Sequence, residues 1–299
     1  MRSFILAIIM ILAVTGCSFE KPNTVIENTA VQTQYQVTDD KGNILHFSES
    51  PKRIYATTLS LEEILTDMVP LKRIAAISEP AADPKTSLII DKAAQIPLKL
   101  PQKVSVEQIL ALKPDLVIVQ ENSNTAFIQA LKDVGLKVYI TKVPTTLDMV
   151  RQRIINLSVA VNEQQQGNRI IDELDHKTKL VKDVIGAIPA EEKKILMGYS
   201  LLGVFGSAEG LFNDICINAG VINGAAVAGL VRGEHLSKEK IVEVNPDVLM
   251  FPDYSSTQEG DTVLFRKEVL KDPALQSIKA IKNNNVIIIK DRYRYAASQ

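Results

Sequence analysis

Ser200 is the first residue to test for chemistry, because it lies between glycines in Gly198-Tyr199-Ser200-Leu201-Leu202-Gly203. A nucleophile elbow needs G-x-S-x-G, and here the spacing is one residue too long, so the serine lacks the sharp turn that would present its hydroxyl. The chain contains no G-x-x-x-x-G-K-[ST] loop that would cradle ATP phosphates. Its three histidines, His46, His176 and His235, show no paired ligand spacing, so no metal site is expected. What remains is recognition chemistry. Guanidinium donors at Arg232, Arg292 and Arg294, with phenol rings at Tyr199 and Tyr293, suit a flat or anionic small molecule. The residues point to binding, with no enzyme activity and no cofactor.

Such residues need elements to hold them. The chain opens with Arg2, an apolar run from Phe4 to Val14, and then Thr15-Gly16-Cys17, the order of basic, greasy and small residues of an export signal. Eleven apolar residues are too few to span a bilayer core of about 30 Å. Residues 1–16 are therefore expected to be a signal peptide. Val14-Thr15-Gly16-Cys17 resembles a lipoprotein box, which makes Cys17 the expected lipidation site and residues 17–34 a polar, lipid-anchored tether. Cys216 is the only other cysteine, so the mature chain has no disulfide to draw on and must rely on a packed core. Removal of Arg2 leaves 33 basic against 35 acidic residues, a balance that gives no electrostatic reason for a nucleic-acid partner.

From Tyr35 onward, short apolar runs alternate with helical periodicity. Tyr35–Thr38 and Ile44–Phe47 flank an Asp-Asp-Lys-Gly-Asn turn and read as a hairpin. Ser60 is expected to cap a helix over Leu61–Met68, with Glu63 in the capping-box position. Strands are expected at 53–56, 74–77, 116–119, 137–141, 195–198, 248–251 and 286–289, and helices at 107–112, 125–134, 211–219 and 238–244. This alternation implies parallel βα units. The span from 146 to 188, free of proline up to residue 188, reads as a long helical spine with a break near Asn162. The fold class that follows is α/β: two Rossmann-like lobes with parallel sheets, residues 35–145 and 189–299, joined by one long spine helix over 146–188.

One phrase occurs twice. Ser105, Glu107, Ile109, Pro114 and Asp115 are matched by Ser237, Glu239, Ile241, Pro246 and Asp247 at a constant offset of 132. Each copy reads as a serine cap, a first-turn glutamate, a proline that stops the helix, and a buried strand. A single Pro-Asp before a strand is commonplace, but two copies in register, one per lobe, are not.

With that phrase in view, the sequence resembles the helical-backbone class of periplasmic binding proteins, the receptors for ferric siderophores, haem and cobalamin that serve ABC importers. Pro51-Lys52-Arg53-Ile54, Leu112-Lys113-Pro114-Asp115, Phe212-Asn213-Asp214-Ile215 and Ala219-Gly220-Val221-Ile222-Asn223 carry the resemblance over residues 50–291, with Val221 in place of a glycine. The resemblance implies a receptor that delivers a small molecule, an iron siderophore ahead of haem or cobalamin, to an ABC permease dimer with a separate ATPase. It implies that Glu107 and Glu239 dock on the permease. A direct metal-ion receptor and a non-binding scaffold or adhesin are the alternatives of another class.

In a two-lobe α/β receptor the ligand is expected against loops at the carboxyl ends of the strands. That selects Thr58, Glu79 and Asn122 on the first lobe, and Tyr199, Ser200, Arg232, Tyr254, Arg292, Tyr293 and Arg294 on the second. Members of the class continue past the last strand with another helix, whereas this sequence stops at Gln299, so either the lobe is shorter here or the sequence is truncated, and truncation would leave apolar surface exposed on the second lobe. A stiff spine implies modest lobe movement and a largely preformed cleft.

Overall fold

The computed structural model describes residues 35–201, 203–231, 234, 237–253 and 261–295, without the side chains of residues 204, 294 and 295. The expected signal peptide, Cys17 and the tether lie outside the described residues.

The chain begins as an antiparallel hairpin, β1 (Tyr35–Thr38) and β2 (Ile44–Phe47). Its turn is closed by Asp39, whose carboxylate accepts from Lys41 N and Asn43 N, with Gly42 at φ 85°. The first lobe then follows as β3 (Ile54–Ala56), α1 (Leu59–Met68), β4 (Ile77–Ser78), α2 (Ile90–Ala93), β5 (Lys99–Leu100), α3 (Val106–Ala111), β6 (Leu116–Gln120), α4 (Thr125–Asp133) and β7 (Val138–Thr141). Strands β3, β6 and β7 form a parallel sheet in that order, and Ile74 bridges the free edge of β3. The segment expected as a strand over 74–77 is thus a single bridge followed by the two residues of β4.

The second lobe comprises β8 (Ile195–Ser200), β9 (Gly203–Phe205), α7 (Leu211–Asn218), β10 (Ile222–Asn223), α8 (Gly224–Val227), α9 (Lys238–Val244), β11 (Val248–Pro252), α10 (Thr262–Lys271), α11 (Lys279–Lys282), β12 (Val286–Ile289) and α12 (Asp291–Tyr295). Between the lobes run α5 (Leu147–Ala160) and α6 (Gln164–Ile185). The second sheet has the order β10-β8-β11-β12, all parallel, with β9 antiparallel to β8. If the Ile74 bridge is counted and β4, β5 and the antiparallel β9 are set aside, the parallel strands of both lobes follow the order 2-1-3-4, a doubly wound arrangement whose switch point lies between strands 1 and 3. Both lobes have apolar cores: Ile54, Leu61, Ile64, Leu116 and Tyr139 in the first, and Met197, Ile241, Leu249 and Phe251 in the second. Strand β12 is the edge of its sheet, and Ile287 and Ile288 are about half exposed.

The repeated phrase is one structural device used twice. Ser105 and Ser237 cap α3 and α9 by accepting from the backbone N–H three residues on. Lys113 and Asn245, each just before the proline, adopt left-handed φ of 49° and 48°. Asp115 then accepts from Lys52 N and Arg53 N, while Asp247 accepts from Ile195 N. Each aspartate therefore ties the start of its own strand to the start of the neighbouring strand.

The expected spine is two helices, and α6 alone connects the lobes. Asn162, at φ 57°, reverses the chain, and α5 folds back antiparallel on α6 through Ser158 against Gly167 and an Arg151–Asp175 ion pair of 2.5 Å. A Cβ on Gly167 would lie 2.5 Å from that of Ser158, which is why glycine is needed at this crossing. With 22 residues, α6 is about 33 Å long and packs on α1 at one end and α7 at the other.

Helix α1 starts at Leu59 with Thr58 in the cap position, so Ser60 lies inside the helix and Glu63 is not part of a capping box. The apolar face of α1 is turned so that Glu62 and Glu63 are both buried. Glu62 accepts from Ser78 N at 2.6 Å and Ser78 Oγ at 2.7 Å, and Glu63 accepts from Leu88 N. Burial pushes the Glu62 carboxyl up to about 7, against the opposing pull of the two Ser78 hydrogen bonds. A carboxyl raised in the folded state favours folding below its unfolded pKa, and that contribution is lost as pH rises through about 7. Relative to Glu62→Gln, the wild type should therefore lose on the order of 3 kcal/mol between pH 4.5 and 8, read from urea midpoints; a difference independent of pH would contradict this.

Candidate functional site

The loops at the carboxyl ends of the parallel strands hold the positions expected to meet a ligand. On the first lobe, the loops after β3 and β6 flank the switch point and are joined by a hydrogen bond from Gln120 Nε2 to Ser60 Oγ (3.3 Å). Thr58 stands there at the mouth of α1, its Oγ1 buried without a hydrogen-bond partner. Asn122 and Glu79 are exposed on the neighbouring loops, and the Glu79 turn is anchored from behind by Glu62 through Ser78.

A cavity of about 520 Å³ lies between the loop that follows β7 and the second lobe. Val143, Pro144 and Thr145 form the first-lobe side. Phe205, Phe212, Met250 and Ile289 form the second-lobe wall, with Ser207, Glu209 and Tyr293 at its polar margin. The two phenylalanine rings meet edge to face, with centroids 5.2 Å apart and planes at 66°. A volume of this size with mostly apolar walls and a few polar groups is typical of sites for organic ligands. A larger hollow of about 640 Å³ lies on the opening hairpin, beside Lys137 at the amino end of β7. It touches only the first lobe, so its position relative to the strand ends does not fit a cleft ligand.

Of the ten expected ligand contacts, the cavity includes Tyr293. Tyr199 turns the other way: its ring packs on Phe251 and Phe265 in the second-lobe core, and burial raises its pKa. Ser200 is buried and donates to the Gly203 carbonyl, closing the β8–β9 hairpin. In a strand the side chains alternate, so a core-facing Tyr199 and a turn-closing Ser200 leave neither for the cavity wall. Arg292 lies beside the cavity residue Tyr293, its guanidinium 5.2 Å from the ring centre. Arg232, Tyr254 and the side chain of Arg294 lie outside the described residues, as does His235. Among the described residues no group of three or more His, Cys, Asp or Glu could hold a metal ion.

Phe205 is not legible in the sequence because β9 is three residues long and follows β8 without a break in composition, and Phe212 is legible there only as part of an expected helix, not as a wall of the cavity. The available signal was the pair of glycines, Gly203 and Gly206, bracketing Val204-Phe205, both at positive φ.

The lobes are also tied beside the cavity. Asp214, on α7, accepts from Leu147 N at 2.7 Å, the first backbone donor of α5, and Leu211 packs into the first-lobe core. Glu107 and Glu239 are both exposed in the first turns of α3 and α9. Hydrogen bonding to Ser105, and then to its own backbone, holds the Glu107 carboxyl below the usual range; for Glu239 its own backbone N–H leads and Ser237 follows.

The family model described as periplasmic binding protein matches residues 47–293. Among curated relatives, the molybdate-binding protein MolA of Haemophilus influenzae is 26% identical over 211 residues, covering 63% of this chain and 57% of the relative. The ferric-anguibactin-binding protein FatB of Vibrio anguillarum is 28% identical over 196 residues, 62% of this chain and 58% of the relative. The matched region thus spans less than two thirds of these two relatives. The Fe(3+)-citrate-binding protein YfmC of Bacillus subtilis is 22% identical over 280 residues, 92% of this chain and 84% of the relative. The crystal structure of MolA with molybdate superposes with a TM-score of 0.71 at 19% identity, covering 85% of this chain and 83% of that one, a likeness of fold.

Asp214 supplies a charged acceptor from one lobe to a helix terminus in the other. Asp214→Ala should cost about 1–3 kcal/mol and speed amide exchange at Leu147, with Asp214→Asn losing less. Hydrogen exchange unchanged at Leu147 in both variants would show that the tie is not formed in solution.

Proposed function

We infer the function from one premise: this chain belongs to the periplasmic binding protein family. It is an extracytoplasmic solute-binding component of an ABC importer, a binding protein and not an enzyme. Its cargo, in our reading, is an organic iron complex of the siderophore type, handed to a permease dimer whose ATPase is another chain.

The observation that carries this reading is the cavity. At about 520 Å³ with largely apolar walls, it exceeds what a bare metal ion or a small oxyanion needs and matches an organic chelate. Two of the relatives, FatB and YfmC, are named for iron complexes. A molybdate ligand, for which MolA is named, would leave most of the cavity unfilled. Haem is the second reading, favoured by the exposed Tyr293 phenol at the cavity margin, since a tyrosine oxygen can hold haem iron.

No helix among the described residues is long and apolar enough to cross a membrane. We assign attachment to a lipid on Cys17, with residues 17–34 as the tether, at the outer face of the cytoplasmic membrane or in the periplasm. Glu107 and Glu239 are the docking carboxylates. Their equivalent places on α3 and α9, both exposed and both ionised at neutral pH, support a pair of contacts to cationic groups on a two-subunit partner.

A thermal-shift panel of ferric hydroxamates, ferric catecholates, ferric citrate, haem, cobalamin and divalent metals tests the cargo. A ligand that binds only the folded state at 100 times its Kd adds about 2.7 kcal/mol, a readily measured rise in Tm. A response confined to an iron chelate is expected; a response only to bare metal or to molybdate would overturn the reading. The double substitution E107A/E239A should abolish uptake while leaving ligand affinity unchanged, and intact uptake would remove the docking role.

A further inference from the structure

We propose that the Phe205–Phe212 corner is the platform on which the ligand lies, that Gly198 and Gly206 make room for it, and that the cavity consequently takes an uncharged or cationic ligand with a flat apolar face. This rests on the cavity being the ligand site, and it narrows the iron complexes that qualify to those without strong negative charge.

Gly198, in the middle of β8, is directly opposite Phe205 in the β8–β9 register. The Phe205 ring lies over it: a Cβ at Gly198 would come within 2.5 Å of both Cε2 and Cζ. Such a pairing shields a glycine in a strand and at the same time fixes the ring in one orientation. Gly206 follows at φ 92°, a conformation that glycine adopts without strain, and the Phe212 ring occupies the place where its side chain would be. Two backbone positions without side chains therefore set two adjacent rings.

Both rings are only partly buried, so the edge-to-face pair offers an aromatic surface toward the cavity. Pro144 and Val143 face it from the first lobe, and Met250 and Ile289 complete an apolar enclosure. Flat groups stack on such surfaces with a preference for offset geometry. Among the described residues lining this cavity, Glu209 is the one charged side chain, and it is exposed at the margin. A carboxylate beside apolar walls repels an anionic ligand more strongly than it would in bulk water, because the field is less screened there. Of the arginines expected from sequence, Arg292 stands beside the lining residue Tyr293, and Arg232 and the side chain of Arg294 lie outside the described residues.

Two aromatic dyes separate the platform from the iron reading: Nile red, which is uncharged, and 1-anilinonaphthalene-8-sulfonate, which is anionic. Each is titrated by fluorescence into the purified full chain and its variants, with circular dichroism as a folding control. Wild type should bind Nile red, and Phe205→Leu and Gly198→Ala should each weaken it by about tenfold, the scale of one lost aromatic contact. Phe212→Leu takes the place of Gly198→Ala if the latter fails to fold. Glu209→Gln should leave Nile red unchanged and tighten the sulfonate dye by roughly threefold or more. No Nile red binding to wild type, or binding indifferent to the phenylalanine variants, overturns the platform, and a sulfonate dye indifferent to Glu209→Gln overturns the charge selection. If Nile red behaves as expected while no ferric complex binds, the iron reading falls and the platform stands.

Discussion

The architecture depends on one interaction made twice, an aspartate side chain that accepts backbone hydrogen bonds at the start of the neighbouring parallel strand. Asp115 does this for the entry to β3 and Asp247 for the entry to β8. In each case a left-handed residue and a proline deliver the carboxylate, so the geometry is set by the backbone before any side chain packs. The bond fixes the register of the two central strands in each lobe, β3 with β6 and β8 with β11. It also fixes where the preceding helix must end. Everything that emerges at the opposite ends of those strands, the cleft loops included, inherits its position from this tie.

Between the lobes the constraints are of a different kind. Helix α6 is a single rigid rod, stiffened by α5 folded back along it, and Asp214 adds a direct link from α7 to the amino end of α5. A large hinge closure would have to bend the rod or break the link. With the cavity as the proposed ligand site, this stiffness favours selection by its walls over closure around the ligand.

Much of this was legible in the sequence. The strands 286–289 and the helix 238–244 fall where periodicity placed them, and the repeat at an offset of 132 marks Asp115 and Asp247 as equivalent positions without showing what they bind. These signals are local, carried by apolar period, proline and serine caps. What could not be read depends on contacts between distant segments. Nothing in Gly198-Tyr199-Ser200 shows which face of β8 is core, so Tyr199 was assigned to the ligand when it belongs to the second-lobe interior. Arg153 looks like an ordinary polar position on a long helix. It is buried, none of its three guanidinium nitrogens has a hydrogen-bond partner, and desolvation lowers its pKa to about 10. Glu63 reads as a capping-box residue, whereas the fold encloses both it and Glu62. Burial of a charge is a tertiary decision, and a single sequence carries little trace of it.

The near-equivalence of α3 and α9 has a consequence for orientation. Under the docking role proposed for Glu107 and Glu239, one carboxylate is presented from each of two like helices. Only the flanking residues distinguish the two ends. Next to Glu107 stands Gln108, which closes a capping box with Ser105. Glu239 lies between Lys238, paired with Asp272 at 2.6 Å, and Lys240, paired with Glu243 at 2.9 Å. The side chains flanking the two glutamates therefore differ, with ion-paired lysines on both sides of Glu239 and a capping-box glutamine beside Glu107. If cargo must leave the cavity above one particular gate, this polarity would decide which way the molecule faces.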